Sequence, residues 1–315
     1  MQKQPLISFI IPVYNIDPKM LRECIDSIMA LSLSEQEREI IIVDDGSEFT
    51  PLNEMADIAD KTIYLRQRNQ GVSVARNTGI TLATGRFIQF VDGDDCLIRA
   101  PYEHCLDIAR YHNPDIVFFK STSDSNKVET PFTYDGPTTG SSFMRDNNIR
   151  ASVWGYIFER SILGSLRFTP GISRGEDEEF TPQLFLRSER FYSTDSEAYL
   201  YRKRDNSATS DKSPKAVDTL FDNTERVLLH LQSLVVPDTD RAALNRRIAQ
   251  LTMDYLYNII RITHSRKMLH EAMERLSDNG LYPLPDRNYT KKYKYFRKMI
   301  ANTLTRNLLF IIIRK

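Results

Sequence analysis

The chain has 315 residues, 41% of them hydrophobic, with 42 basic and 42 acidic side chains, which is ordinary for a soluble globular protein of one large domain plus an extension. Overall charge therefore singles out no partner, but its distribution is uneven: Arg287 to Lys315 carries nine basic residues and no acidic one, leaving 33 basic against 42 acidic, about −9, in the body before it. Cys24, Cys96 and Cys105 make no C-x-x-C pair and no even framework, which fits a reducing compartment; no run is apolar enough to span a bilayer, and Ile7-Ser-Phe-Ile-Ile-Pro12, lacking a charged n-region and a small-residue cleavage site, is not expected to be a signal peptide.

In chain order, Ile7 to Ile11 reads as a buried strand ending at Pro12-Val-Tyr-Asn15, and Met20, Leu21, Cys24, Ile25 and Ile28 then recur at helical spacing. Glu39 to Val43 is a second strand, closed by Asp44-Asp-Gly-Ser47, after which Thr50-Pro51 supplies an N-cap and a preset first helical residue. A short strand near Ile63 to Leu65 precedes Asn69-Gln-Gly71 and a helix to Ala83. The apolar run from Phe87 then ends in three carboxylates, Asp92, Asp94 and Asp95. A helix around Tyr102 to Tyr111 and a strand at Asp115 to Phe119 complete a βα alternation that predicts a mainly parallel sheet. Strand ends of such a sheet face the ligand crevice, so Tyr14-Asn15, Asp44-Asp45 and Asp92-Gly-Asp94 are expected along one edge.

Ser121 to Gly140 is dense in turn formers and reads as a loop. An irregular stretch around Val153 to Phe158 leads to Glu176-Asp-Glu-Glu179, which opens a helix through Leu186, and Tyr192 to Tyr201 reads as a strand. Beyond Ser213-Pro214 the pattern is helical at Leu220 to Val236, Arg241 to Ile262 and Lys267 to Ser277. Three regions are expected: residues 1–210, 211–286 and a basic tail, 287–315. In the tail Tyr293, Phe296, Ile300, Leu304, Leu308 and Ile311 form one apolar stripe flanked by Lys and Arg. Such a helix suits either an anionic membrane surface or packing against the preceding helices or another subunit.

Pro12-Val-Tyr-Asn15, Asp44-Asp-Gly-Ser47, Asn69-x-Gly71 with Ala75-Arg-Asn-x-Gly79, Ala83-x-Gly85, Phe90-x-Asp-x-Asp-Asp95 and Gly175-Glu-Asp177 together resemble the family 2 glycosyltransferases. The resemblance covers the first two hundred residues. It implies a GT-A α/β fold with a helical C-terminal extension. It also implies an inverting transfer of a sugar from a nucleotide diphosphate, usually uridine, to a hydroxyl of a glycan or lipid-linked acceptor in surface polysaccharide synthesis. On the same ground the enzyme is expected to be cytoplasmic, on the inner face of the cell membrane.

The departing diphosphate gains negative charge, so a divalent cation, Mg²⁺ or Mn²⁺, suits oxygen ligands there. By resemblance Asp94 is the metal ligand, Asp92 reaches the ribose or the ion through water, and Asp95 is structural. Asp44 resembles the acid that binds the base, with Pro12 and Tyr14 beside it, and Arg76 resembles a nucleotide contact. Asp177 resembles the base that takes the acceptor's proton, with Glu176 positioning it. Trp154 and Glu176 are candidate acceptor contacts, and Arg202 and Arg204 candidates to close over the diphosphate. His104, His112, His230, His264 and His270 show no zinc-like grouping. Two rivals remain in view, an inert sugar-nucleotide or glycan-binding homologue and a nucleotidyltransferase. The second lacks its Gly-rich basic signature after the first strand, and no motif marks a nucleic-acid binder.

Overall fold

Ile7–Val13 (β1) is apolar at nearly every position because strands flank both its edges and helices cover both its faces. Arg38–Asp44 (β2) and Phe87–Phe90 (β4) run parallel to it, with Ile10 opposite both Ile41 and Phe90, and Ile63–Arg66 (β3) extends the parallel ladder beyond β2. These contacts come from a computed structural model that describes residues 4–124, 132–202 and 213–313.

Pro18–Met29 (α1) starts where Asp17 accepts the Lys19 N–H and buries Leu21, Cys24, Ile25 and Ile28, the spacing that marked it in the sequence. After β2 the chain winds as 3-10 helix from Pro51 to Lys61, at the cap-and-proline signal. Val72–Leu82 (α2) lies on β1 so closely that a Cβ at Gly79 would stand 2.2 Å from Ile10 Cγ2. That glycine is a packing requirement.

Beyond β4 the sheet changes character. Cys96–Leu97 (β5) leads into Arg99–Tyr111 (α3), followed by Ile116–Thr122 (β6) and Tyr134–Thr138 (β7). Tyr156–Glu159 (β8) inserts antiparallel between β4 and β6, while Phe191–Leu200 (β9) runs parallel to β6 and antiparallel to β5 and β7. The order is β3-β2-β1-β4-β8-β6-β9-β5, with β7 on β9. The longest ladders are parallel, and the antiparallel pairs lie in the second half. The expected loop from Ser121 to Gly140 thus holds the end of β6 and all of β7, whose Tyr-Asp-Gly-Pro-Thr has no strand-like apolar alternation.

The chain forms two compact units, Met1–Phe143 with Ile149–Ser210, and Met144–Asn148 with Asp211–Lys315. In the second, Pro214–Ser233 (α6) begins at the Ser213 cap and is followed by Asp238–Thr263 (α7) and Arg266–Asp278 (α8). Gly140–Asp146 (α4) and Glu176–Phe185 (α5) lie earlier in the chain.

The tail is two helices rather than one. Lys291–Ala301 (α9) stops at Asn302, whose side chain accepts the Leu304 and Thr305 N–H groups and so starts Thr303–Ile312 (α10). The single stripe expected from spacing is therefore split. Tyr293, Phe296 and Ile300 are buried in the unit, whereas Leu304 is 81% and Ile311 69% exposed. No helix among the described residues is long and apolar enough to cross a membrane.

Candidate functional site

The C-terminal ends of β1, β2 and β4 carry the polar residues, and two networks hold them in place. At the first, Asn15 has φ 48, a left-handed conformation that asparagine tolerates. Its N–H donates to Ser47 Oγ at 2.9 Å, and its Oδ1 accepts the Glu48 N–H at 2.8 Å. The turns after β1 and β2 are thus one unit. Asp45 takes the Gln70 and Gly71 N–H groups at 3.0 and 2.7 Å, tying the β2 turn to the start of α2. Gly46 has φ 81, and a Cβ there would meet Asn69 N at 2.8 Å. The backbones of the two motifs thus pack directly against each other.

Asp44 is fully buried. Its carboxylate accepts the Ser47 N–H at 2.8 Å and the Tyr64 hydroxyl at 2.6 Å, with Arg66 Nε 3.6 Å away. Burial alone would raise its pKa, but these donors hold it below the usual carboxylate range. Both Asp44 oxygens are thus engaged, and the side chain is closed to solvent in this structure. Tyr64 and Arg66, two apart on one face of β3, stand between Asp44 and solvent. Their period-two spacing at a strand end is the sequence signal that could have found them. Tyr14 is largely exposed at the end of β1, and Pro12 lies past the last β1–β4 pair, where one neighbouring strand has ended and a missing N–H is tolerated.

The second network centres on Arg76, which is 3% exposed. Its Nη1 donates to Glu176 Oε1 at 2.9 Å and Asp177 Oδ1 at 2.8 Å, and its Nη2 to Asp92 Oδ1 at 3.3 Å. The expected nucleotide contact is thus turned inward, onto acids up to 101 residues away. The guanidinium also lies 5.4 Å from the Phe168 ring centroid and 5.9 Å from that of Phe90. The neighbouring Asn77 exchanges two hydrogen bonds with the Phe168 backbone, at 2.8 and 2.9 Å, and Ser73 Oγ donates to the Ile172 carbonyl. These bonds pin the segment leading to α5. The residues of the α2 motif therefore divide the work, since Arg76 gathers acids, Asn77 fixes the approach to α5, and Gly79 lets α2 rest on β1.

Three carboxylates around one guanidinium leave negative charge unbalanced. Burial raises the Arg76 guanidinium's tendency to lose its proton, but Asp177, Glu176 and Asp92 overcome it and hold the charge firmly. Asp177 is pushed up to about 7: burial is the main cause, Arg76 opposes it, and Glu176 and Asp92 add to it. Its second oxygen accepts the Val153 N–H at 3.3 Å. Glu176 and Asp177 also occupy the first turn of α5, where the helix dipole favours them, after Gly175 at φ 90.

Asp92 and Asp94 are partly exposed at the end of β4. The Asp92 N–H donates to the Tyr199 hydroxyl at 3.0 Å, and Tyr199 stacks on Trp154 with centroids 4.4 Å apart. Trp154 is 6% exposed and also faces Tyr201, so it offers a sugar no open ring face; its effect is to hold Tyr199 under Asp92. Asp95 is buried and accepts the Arg202 N–H at 2.7 Å; burial pushes its carboxyl up to about 7 against that bond. Arg202 itself is paired with Glu23 at 2.6 Å and Cys96 Sγ at 2.9 Å, so its side chain is anchored beside the site. Arg204 lies outside the described residues.

Among the described residues no group of three His, Cys, Asp or Glu side chains forms a metal cage. The donors do fit a hard divalent ion that keeps most of its ligands as water and phosphate: two part-exposed carboxylates, Asp92 and Asp94, beside a cluster with surplus negative charge.

Residues 8–163 match the sequence model of glycosyl transferase family 2. The uncharacterized glycosyltransferase EpsJ of Bacillus subtilis is 34% identical over 229 residues, 68% of this chain and 66% of that one. The chain spans between 38 and 66% of the length of the first curated relatives it matches. Among solved structures, Staphylococcus aureus TarS 1–349 in complex with UDP aligns with a TM-score of 0.68 at 16% identity, covering 97% of this chain and 88% of that one. The mannosyltransferase PcManGT of Pyrobaculum calidifontis, in complex with GDP-Man and Mn²⁺, aligns at 0.59 and 12% identity, covering 99% and 86%. These likenesses fix the fold as GT-A.

Proposed function

Since the chain belongs to glycosyl transferase family 2, we propose that it moves a sugar, with inversion, from a nucleoside diphosphate donor, UDP-linked, to a hydroxyl of a glycan or lipid-linked acceptor. The observation that carries this reading is the convergence of Asp92, Glu176 and Asp177 on the buried Arg76 at the end of β4. Arg76 fixes the acids, and burial, aided by the charges of Glu176 and Asp92, lifts Asp177 to where a carboxylate is a useful base near neutrality. As the acceptor oxygen bonds the anomeric carbon, the bond to the diphosphate breaks and the acceptor proton passes to Asp177. The Val153 N–H and Arg76 hold that carboxylate in place. Asp94 and Asp92 would hold Mg²⁺ or Mn²⁺, which when bound neutralises charge on the leaving diphosphate. On this reading Tyr14 and Arg66, at the ends of β1 and β3, receive the base, and Asp44, 3.6 Å from Arg66 Nε, holds that guanidinium by its charge.

A thermal-shift screen of UDP- and GDP-sugars with Mn²⁺, followed by assay of nucleotide release, tests the donor. A UDP-sugar is expected to raise Tm and to be consumed; stabilisation by GDP-sugars alone would reject the uridine assignment, and stabilisation without turnover on any acceptor would favour the inert homologue. The Asp177→Asn variant should lose about 10²–10⁴-fold in kcat with UDP affinity nearly intact. Equal loss of both would remove Asp177 from the role of base.

The exposed aliphatic face of α10, following a strongly basic α9, suits an anionic bilayer surface, and we place the protein there peripherally. Full-length protein should co-sediment with anionic vesicles at low salt, and Leu304→Ser with Ile311→Ser should abolish it. Unchanged sedimentation of that variant would move the contact elsewhere.

A further inference from the structure

The second unit contains a cavity of about 700 Å³ whose charge is as one-sided as that of the acid cluster, with the opposite sign. One face of α7 supplies Arg241 and Arg246, and the segment before α9 supplies Arg287 and Tyr289. Apolar wall comes from Leu281, Pro283 and Pro285. Arg145 also reaches the cavity but is paired with Asp146. Asp286 is nearby in sequence but is paired with Arg297. Asp238 is the one carboxylate in the lining, set against the three remaining guanidinium groups.

Arg246 is the most telling of the three. Its Nη1 donates to the Arg145 carbonyl and its Nη2 to Asn148 Oδ1 at 3.1 Å, while its guanidinium lies 5.2 Å from the Tyr289 ring centroid. Its Nε–H is buried with no acceptor among the described residues. Burial also lowers its pKa, because Tyr289 and Asp146 compensate the charge only in part. The side chain is held at one end by neutral acceptors, and among the described residues no carboxylate is paired with it directly. Arg241 donates to the Leu234 carbonyl, again a neutral partner, and Arg287 is exposed.

We propose that this cavity binds a phosphate group carried on a sugar- or polyol-sized body. Three guanidinium groups against one carboxylate leave about two positive charges, which match a phosphate monoester at about −1.5 to −2 better than a single carboxylate. A volume in the range of small-molecule sites exceeds what a bare phosphate fills, and the Leu and Pro wall accommodates the C–H surface of a polyol or sugar. On this chain such a site grips a phosphate-bearing part of the acceptor, a role that rests on the transferase reading above; the binding itself does not.

Calorimetric titration of the full chain with glycerol 3-phosphate, inorganic phosphate, glucuronate and glycerol tests the site. Glycerol 3-phosphate should bind saturably, at least tenfold more tightly than inorganic phosphate or glucuronate, and more weakly as NaCl is raised; glycerol should not bind. Arg241→Gln combined with Arg287→Gln should weaken glycerol 3-phosphate at least tenfold. The exposed Arg287→Gln alone, which disturbs no buried contact, should weaken it severalfold. Absence of saturable binding, or equal affinity in the variants, overturns the site; equal affinity for inorganic phosphate overturns the sugar or polyol part; tighter binding of glucuronate overturns the choice of phosphate. UDP titration of the same proteins separates the two readings: UDP binding lost everywhere refutes the donor site alone, and UDP binding kept with no phosphate binding refutes this inference alone.

Discussion

Arg76 and Arg246 are both held by hydrogen bonds over an aromatic ring, yet they sit in opposite electrostatic circumstances. Arg76 faces three carboxylates and is over-neutralised; Arg246 faces backbone and amide oxygens and is under-neutralised. A buried arginine therefore does not by itself indicate an anion site. The sign of the charge left over after its partners are counted decides what the surroundings attract. Around Arg76 the remainder is negative and adds to the burial that raises Asp177, and around Arg246 it is positive.

The contrast makes unequal demands on stability. Arg76→Gln leaves three crowded carboxylates without a cation and should cost about 3–5 kcal/mol in chemical denaturation, easing as pH falls and the acids protonate. Arg246→Gln removes two hydrogen bonds to neutral oxygens and a ring contact and should cost only about 1–2 kcal/mol, with little pH dependence. Equal costs would erase the distinction. Gly79→Ala tests the platform that carries Arg76: with Ile10 Cγ2 2.2 Å from the new Cβ, about 1–3 kcal/mol should be lost and kcat should fall with it. A stable, fully active Gly79→Ala protein would show that the acids do not depend on how α2 seats. The smallest effect belongs to the exposed end of the second unit, where Leu308→Ser should stay within about 0.5 kcal/mol of wild type.

Much of the first unit was legible because β1, β2 and β4 are apolar runs that end sharply in polar turns, and period and terminator agree. The mixed half of the sheet was harder to read: β5 is two residues long, and β7 has no apolar alternation. In the tail, Leu304, Leu308 and Ile311 continue the spacing of Tyr293, Phe296 and Ile300, so periodicity alone joined two helices that the Asn302 cap separates. In the site, motif positions placed Arg76 and the acids in one region, but not which way the guanidinium turns. That depends on contacts made across about a hundred residues, and no local pattern encodes them. Asp44 was found by its turn, while its isolation from solvent depends on Tyr64 arriving from another strand.

The central claim is that burial, aided by the charges of Glu176 and Asp92 and opposed by Arg76, makes Asp177 a base that titrates near neutrality in the free chain, and the pH dependence of kcat/KM tests it most directly. Because a base must be deprotonated to act and burial raises this one, kcat/KM should be low in acid, rise with pH through an apparent pKa of about 7, and level off above it. A profile flat from pH 5 to 9, or one that falls as pH rises through 7, would contradict the account.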